Sequence, residues 1–277
     1  MTPLATPAST FESDDRTVLM APRADCIADS AGGLTFDVTD HGAAGSAYLV
    51  LVERAGGQEM RLPLAQVDDG RLRASLPIGV ELAEGRWDAF AEVAGGEPAR
   101  LAPGVNDLRS LVDRAPSGSR GHVAVRIPYA TKNGNLSVRS WRRAPHAEAG
   151  ELLITGTELS VHGRVYGTPI TAKASAELRA RDDGPVFRGE VDVDGSEFTL
   201  RIAYEELSEG RWDLWVRPGG EDGPEVRVAR LLDDIADKKQ IFAYPVTPFA
   251  AAGRDLTAEP YYTGDNDLAV VVRAVEP

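Results

Sequence analysis

Hydrophobic and polar residues alternate with a period of two along most of this chain. Leu34, Phe36 and Val38 alternate with polar neighbours through GLTFDVTD (33–40), and RLRASL (71–76), EFTLRIAY (197–204) and LAVVVRAV (268–275) do the same. AYLVLVER (47–54) is a continuous apolar run that ends before Gly56-Gly57. This period is that of a half-buried strand, and the apolar run is counted with the strand signals. Asp69-Gly70, Asp194-Gly195 and Asn133-Gly134 supply the turn chemistry of tight hairpins. Helical spacing is confined to VNDLRSLVDR (105–114) and RLLDDIADKK (230–239), each read as a short helix or helical turn. Short strands at close intervals with no long helices between them predict an all-β chain of sandwich type.

The alternation carries an internal repeat. ELAEGRWD (81–88) returns as ELSEGRWD (206–213), and laying 69–88 on 194–213 gives nine identities in twenty positions. The same offset takes Leu34 and Phe36 onto Leu159 and Val161, and Arg54 onto Arg179. PYATKNGNLSV (128–138) then aligns with PYYTGDNDLAV (260–270) at a longer offset, which places an insertion of seven residues in VTPFAAAGRDLTAEP. Self-similarity over so long a stretch marks a duplicated unit. The expected organisation is a flexible tail at 1–16 and two tandem immunoglobulin-like β-sandwich domains, 17–145 and 146–277, arising from an internal duplication. The repeated phrase is explained as a corner: Leu82 or Leu207 plugs one end of a core, Gly85 or Gly210 permits the bend, and Trp87 or Trp212 starts a buried strand.

Composition narrows the partners. The net charge of −13 repels a nucleic acid backbone on average, so no nucleic acid partner is expected. Cys26 is the only cysteine, which removes intramolecular disulfides and thiolate metal clusters. No apolar window reaches the ~18 residues of a membrane span, and MTPLATPASTFESDDR has no secretory pattern. A cytoplasmic chain without a cofactor is expected.

Catalytic motifs are sparse. The four histidines, His41, His122, His146 and His162, have no metal-ligand spacing, and no G-x-S-x-G, P-loop or G-x-G-x-x-G occurs. A Ser-His-Asp triad assembled from scattered residues is invisible to sequence. Asp192-Val193-Asp194 has the spacing of a metal-holding D-x-D, but it reads better as a strand end feeding the Asp194-Gly195 turn. Asp265-Asn266-Asp267 offers hard oxygens for Ca²⁺ and also the residues of an ordinary hairpin turn. VRSWRRAPH (138–146) is the local basic run; it reads first as a last strand leading into the interdomain linker with solvated arginines, and otherwise as a grip in which Arg139, Arg142, Arg143 and the flat ring of Trp141 suit a phosphate or a glycan. The second copy has RAVEP there, so the run lies outside the repeated pattern.

The pattern L-x-x-G-x-W-D followed by P-Y-x-T-x-x-(N/D)-x-L-x-V, once in each half, resembles an actinobacterial family labelled "transferase". It is similar also to the tandem immunoglobulin-like modules C-terminal to the catalytic domains of Gram-positive cell-surface glycopolymer glycosyltransferases of the teichoic-acid type. The resemblance implies modules that assist binding or oligomerisation. With no nucleotide-sugar domain read ahead of them, it carries over no catalytic residue. The expected role is a non-catalytic binding or scaffolding accessory in cell-envelope glycopolymer systems, whose partner is a carbohydrate or a glycosyltransferase-type protein. Its expected contacts are Arg139, Trp141, Arg142 and Arg143, with Tyr261, Tyr262, Asp265 and Asp267 of the second hairpin. The alternatives are a homo-oligomeric scaffold without a small ligand, and an enzyme with a site between the domains.

Overall fold

A computed structural model describes residues 21–39, 45–67, 70–93, 96–112, 114–116, 121–181 and 184–275. The 1–16 tail, His41 and Asp69, on which expectations above fall, lie outside them. Strands hold 59% of the residues, and no α-helix occurs among those described.

The N-terminal half contains β1 (Arg23–Ala28), β2 (Leu34–Thr39), β3 (Ala47–Glu53), β4 (Glu59–Gln66), β5 (Arg71–Leu76), β6 (Gly85–Val93), β7 (Ala99–Arg100), β8 (Ala102–Asp107), β9 (Val123–Ala130) and β10 (Leu136–Arg143). They pair in the order β8-β1-β2-β5-β4-β3-β6-β10-β9, with β7 on β6. Only Leu101 separates β7 from β8, and β8 runs parallel to β1, so the path closes on itself. Inward residues from all round this ring, among them Cys26, Phe36, Leu51, Leu76, Trp87 and Val138, form one core.

The C-terminal half contains β11 (His146–Thr155), β12 (Glu158–Tyr166), β13 (Ser175–Ala180), β14 (Val186–Asp194), β15 (Glu197–Ala203), β16 (Gly210–Arg217), β17 (Val226–Ala229), β18 (Thr247–Ala251), β19 (Arg254–Tyr262) and β20 (Leu268–Ala274). The order is β13-β14-β15-β12-β11-β17-β16-β20-β19-β18, and a further β13–β16 pairing closes a ring here too. A second core lies inside it, with Phe198, Leu200, Trp212 and Val270. Strand β18 pairs with β19 as an edge strand in the segment where the repeat required an insertion.

The same local devices recur in both halves. Trp87 Nε1 donates to Ala83 O at 3.0 Å and Trp212 Nε1 to Ser208 O at 2.9 Å, so each buried indole satisfies its donor four residues back along the corner. Leu82 and Leu207 are buried beside them. Gly85 and Gly210 have φ of 157° and 145°, values that an L side chain rarely adopts. One detail of the alignment is corrected. Arg54 N donates to Arg86 O at 3.0 Å, and the residue doing the same to Arg211 O, at 2.9 Å, is Arg181, whereas sequence alone selects Arg179. Two extra residues between the halves at this strand are absorbed before β16, and ungapped alignment cannot see them.

Of the two stretches read as a short helix or helical turn, the first holds one 3-10 turn and the second runs into another at its end. Strand β8 runs on to Asp107, leaving a single 3-10 turn at Arg109–Leu111, in which Leu111 is buried. Residues 230–237 form a loop before a 3-10 turn at Lys238–Gln240. There the buried Lys238 ammonium donates to Asp233 Oδ1 at 2.7 Å and Ile235 O at 2.9 Å, and these bonds hold the backbone in a non-helical course. Glu148 tethers the same loop by accepting from the Leu231 and Leu232 amides.

Candidate functional site

Strand β10 explains why the halves hold together. Val138 pairs with Trp87 and points inward, so Ser137, Arg139 and Trp141 lie on the outer face, yet all three are buried. Ser137 lies under Arg54, Arg100 and Asp88 of its own half, whereas Arg139 and Trp141 meet the C-terminal half. Trp141 Nε1 donates to Asp265 O at 3.1 Å, Arg139 Nη2 donates to Asp265 Oδ1, and the N-terminal core takes in Ala229 and Leu231. The Arg139 guanidinium stands 4.9 Å from the Trp141 ring centre.

Beside this junction lies an open cleft of about 900 Å³. Strands β3, β6, β7 and β10 bring Arg54, Arg86, Arg100 and Arg139 to it, and the β9–β10 hairpin adds Tyr129, Thr131, Lys132, Asn133 and Asn135. Ile235, Asp237, Gln240, Ile241 and Gly264 form the opposite wall. Trp87 points into the core of β6, so its neighbours Arg86 and Asp88 must face outward. Arg54 and Arg100 both grip Asp88 Oδ1, at 2.6 and 3.0 Å, and Ser137 Oγ donates to the same oxygen at 2.7 Å. Burial alone raises the pKa of Asp88, but the hydrogen bonds from Arg54 and Ser137 and the Arg100 charge outweigh it and hold the carboxyl below its ordinary range. Five basic residues line the cleft, and Asp88, Asp237 and the Asp265 partner of Arg139 offset three of them. Arg86 and Lys132, both exposed, form no ion pair among the described residues; Arg86 reaches only Gly264 O, at 3.3 Å. The buried Nε of Arg139 has no hydrogen-bond partner. The cleft thus presents fixed cationic donors with amide and hydroxyl groups beside them, the equipment for an anion that also carries hydroxyls.

The expected contact residues divide. Arg139 lines the cleft. Tyr261 lines a separate depression on the C-terminal half. Asp265, with 60% of its side chain exposed, is the partner of Arg139. Trp141 is corrected: at 0% exposure it has no open face for a sugar and serves as packing at the junction. Tyr262 is corrected for the same reason, being fully buried against Phe242 and Tyr244. Arg142 and Arg143 spend their charge on Glu81 and Glu84, at 2.8 and 2.9 Å. Asp267 is mostly buried, and burial raises its pKa although Arg143 and Arg227 draw it the other way. Asn266 takes the turn position at φ 62°, and the carboxylates on either side face arginines. Asp192 of the D-x-D lies on β14 and pairs with Arg201 at 2.6 Å. Among the described residues no group of three or more His, Cys, Asp or Glu side chains is placed to hold a metal ion. No helix among them is long and apolar enough to cross a membrane.

Sequence reasoning missed Arg54, Arg86, Arg100 and Lys132. The available signal was the arginine inside the repeated EGRWD phrase: the corner needs its Leu, Gly and Trp, but an exposed arginine contributes nothing to it.

No known protein family matches the sequence. Mycothiol acetyltransferase of Beutenbergia cavernae is 30% identical over 156 residues, 54% of this chain and 49% of that protein, so the chain spans about half the length of this relative. The expectation of a non-catalytic protein is corrected by this match, since a similar protein is named for an enzymatic reaction. Missing motifs never excluded one, because catalytic groups are recognised by geometry. Among solved structures, S. aureus TarS matches at 15% identity and a TM-score of 0.32, covering 65% of this chain and 35% of that one. Pullulanase from Anoxybacillus sp. LM18-11, complexed with maltotriose, matches at 9% identity and a TM-score of 0.24, covering 73% and 25%. Superpositions of this quality establish neither a shared fold nor a shared role.

Proposed function

We propose that the chain consists of two immunoglobulin-like modules derived from an internal duplication and divided at 145/146, and that it binds an anionic carbohydrate in the cleft beside their junction. The observation that carries this reading is the convergence of five basic residues on one cleft of a chain whose net charge is −13. Local segregation of charge against the overall sign creates a potential that draws an anion. Thr131, Asn133, Asn135 and Gln240 supply the paired donors and acceptors that hydroxyl groups require, and Tyr129 adds an aromatic ring. A glycosyltransferase-type protein is the partner that such a module would serve. The test is calorimetric titration with glucose 6-phosphate, with glucose as control. Saturable heat with the phosphorylated sugar alone, lost in Arg86→Gln, supports the reading; equal silence from both ligands sinks it.

The named relative supports a second reading, acetyl transfer. Acetyl carriers of the coenzyme A type bear phosphates, which the same arginines suit. Asp88, held ionised by Arg54 and Arg100, is a weak base, so here the cleft binds and orients rather than removes a proton. In the reaction an acceptor amine takes the acetyl group and the carrier leaves as a free thiol. Thiol release from acetyl-coenzyme A in the presence of an amino sugar, measured with a chromogenic disulfide, distinguishes this reading from simple binding.

A further inference from the structure

A second depression, of about 350 Å³, lies on the C-terminal half, and it repeats the chemistry of the first. Arg211 occupies it as Arg86 occupies the cleft, each being the arginine of the EGRWD phrase. Tyr261 and Thr263 correspond to Tyr129 and Thr131 in the aligned hairpins. The hairpins themselves match bond for bond: Thr131 N donates to Asn135 O at 2.8 Å and Thr263 N to Asp267 O at 2.8 Å. Behind each site stands the same clamp. Arg54 and Arg100 close on Asp88, while Arg181 and Arg227 close on Asp213, at 2.8 and 2.7 Å. Arg100 and Arg227 also cover an aromatic ring, Phe90 at 4.8 Å and Trp215 at 5.2 Å.

The charge balance agrees. In the second depression Arg273 is paired with Glu259 and Arg181 with Asp213, which leaves Arg211 and Lys239 exposed and without an ion pair among the described residues. Each site therefore holds one uncommitted arginine and one uncommitted lysine, although the chain has only four lysines. The two sites also touch. Gly264 lines both, Arg86 reaches its carbonyl, and the 3-10 turn turns Gln240 to one site and Lys239 to the other.

We infer that the two sites form one track for a linear sugar-based polyanion, with successive negative groups held at Arg86–Lys132 and at Arg211–Lys239. This deepens the reading of the cleft as an anionic carbohydrate site and rests on it. The charged group is a carboxylate or a phosphodiester, since both accept from guanidinium and ammonium donors. A single-stranded nucleic acid is the less suited polyanion. It gains affinity by stacking successive bases on aromatic faces, and of the aromatic residues that line the track Phe242 is already taken up by the Arg230 guanidinium at 4.6 Å and by Tyr262, which leaves one tyrosine in each site, Tyr129 and Tyr261.

The experiment is a titration of the intact chain with galacturonic acid, with a ladder of oligogalacturonates and with oligothymidylate, using wild type, Arg86→Gln and Arg211→Gln. Both arginines are exposed, and circular dichroism checks that the variants fold. Bridging converts the second contact into an intramolecular one, so an oligomer long enough to span should bind one per chain and on the order of 100-fold tighter than the monomer. Either substitution alone should return it to the monomer's affinity. If galacturonic acid binds but affinity does not grow with length, the sites are independent; the track is then refuted while the single-site reading stands. If no galacturonate binds at all, the track for a carboxylate polymer is refuted, and the single-site reading stands or falls with glucose 6-phosphate. An oligothymidylate that matches the galacturonates refutes the sugar-based assignment.

Discussion

Arg139 and Asp265, 126 positions apart, share a charge-assisted hydrogen bond that ties strand β10 to the last hairpin of the chain. The arginine is buried and the aspartate largely open, so the pair closes the junction while one oxygen still faces water. The neighbouring Trp141 indole fastens the same residue through its carbonyl, which makes Asp265 a two-point anchor between the halves.

Removing that anchor should loosen the junction before it unfolds either core. Asp265→Ala leaves the Arg139 guanidinium buried without its carboxylate, and hydrogen bonds to charged groups contribute about 1.5–3 kcal/mol. Urea unfolding of Asp265→Ala, Arg139→Leu and the double variant gives the coupling directly. A double variant no more stable than the sum of the two single losses would show that the pair does not couple.

The two corner tryptophans should behave alike. Trp87→Phe and Trp212→Phe each leave a carbonyl without its donor and a small cavity, a loss of about 1–3 kcal/mol apiece. Denaturant midpoints measure both. A large loss in one half with none in the other contradicts the equivalence of the two corners.

Asp88 gives the fold a defined acid sensitivity. Its pKa in the folded chain lies below the ordinary value of ~3.9. The stability that it contributes is therefore complete above the unfolded value and disappears as pH falls through the folded one. Urea midpoints of wild type and Asp88→Asn measured against pH should differ most near neutrality and converge in acid. A gap that stays constant to low pH would assign the loss to packing rather than to charge.

Cys26 should be inert in the native protein. It is fully buried on β1, and burial, with Asp25 and Asp37 nearby, pushes its thiol up to about 12. Iodoacetamide at mildly alkaline pH should label it only after denaturant is added. Rapid labelling of the folded chain would place it in an accessible, opening segment.

The strands were legible because their cause is local. Each strand residue faces one side or the other, so the alternation at Leu34, Phe36 and Val38 encodes both the element and its buried face. The corner at EGRWD was legible for the same reason, since Leu82, Gly85 and Trp87 meet within one turn. The single basic run was misleading. It pointed to Trp141, which period two does place on the outer face of β10, but burial of that face depends on a half of the chain that the run cannot announce.

By itself, the sequence determined the all-β character, the recurrence of one phrase in two corners and the inward set of residues, all of which follow from contacts between near neighbours. Tertiary structure alone decided that Arg181 rather than Arg179 matches Arg54, and that Arg54, Arg86, Arg100 and Lys132 share a cleft with Asp237 and Gly264. Those residues are brought together by strand pairings and by packing of one half on the other. Such long-range contacts depend on register and on cumulative insertions, and neither quantity is written in any local stretch of the chain.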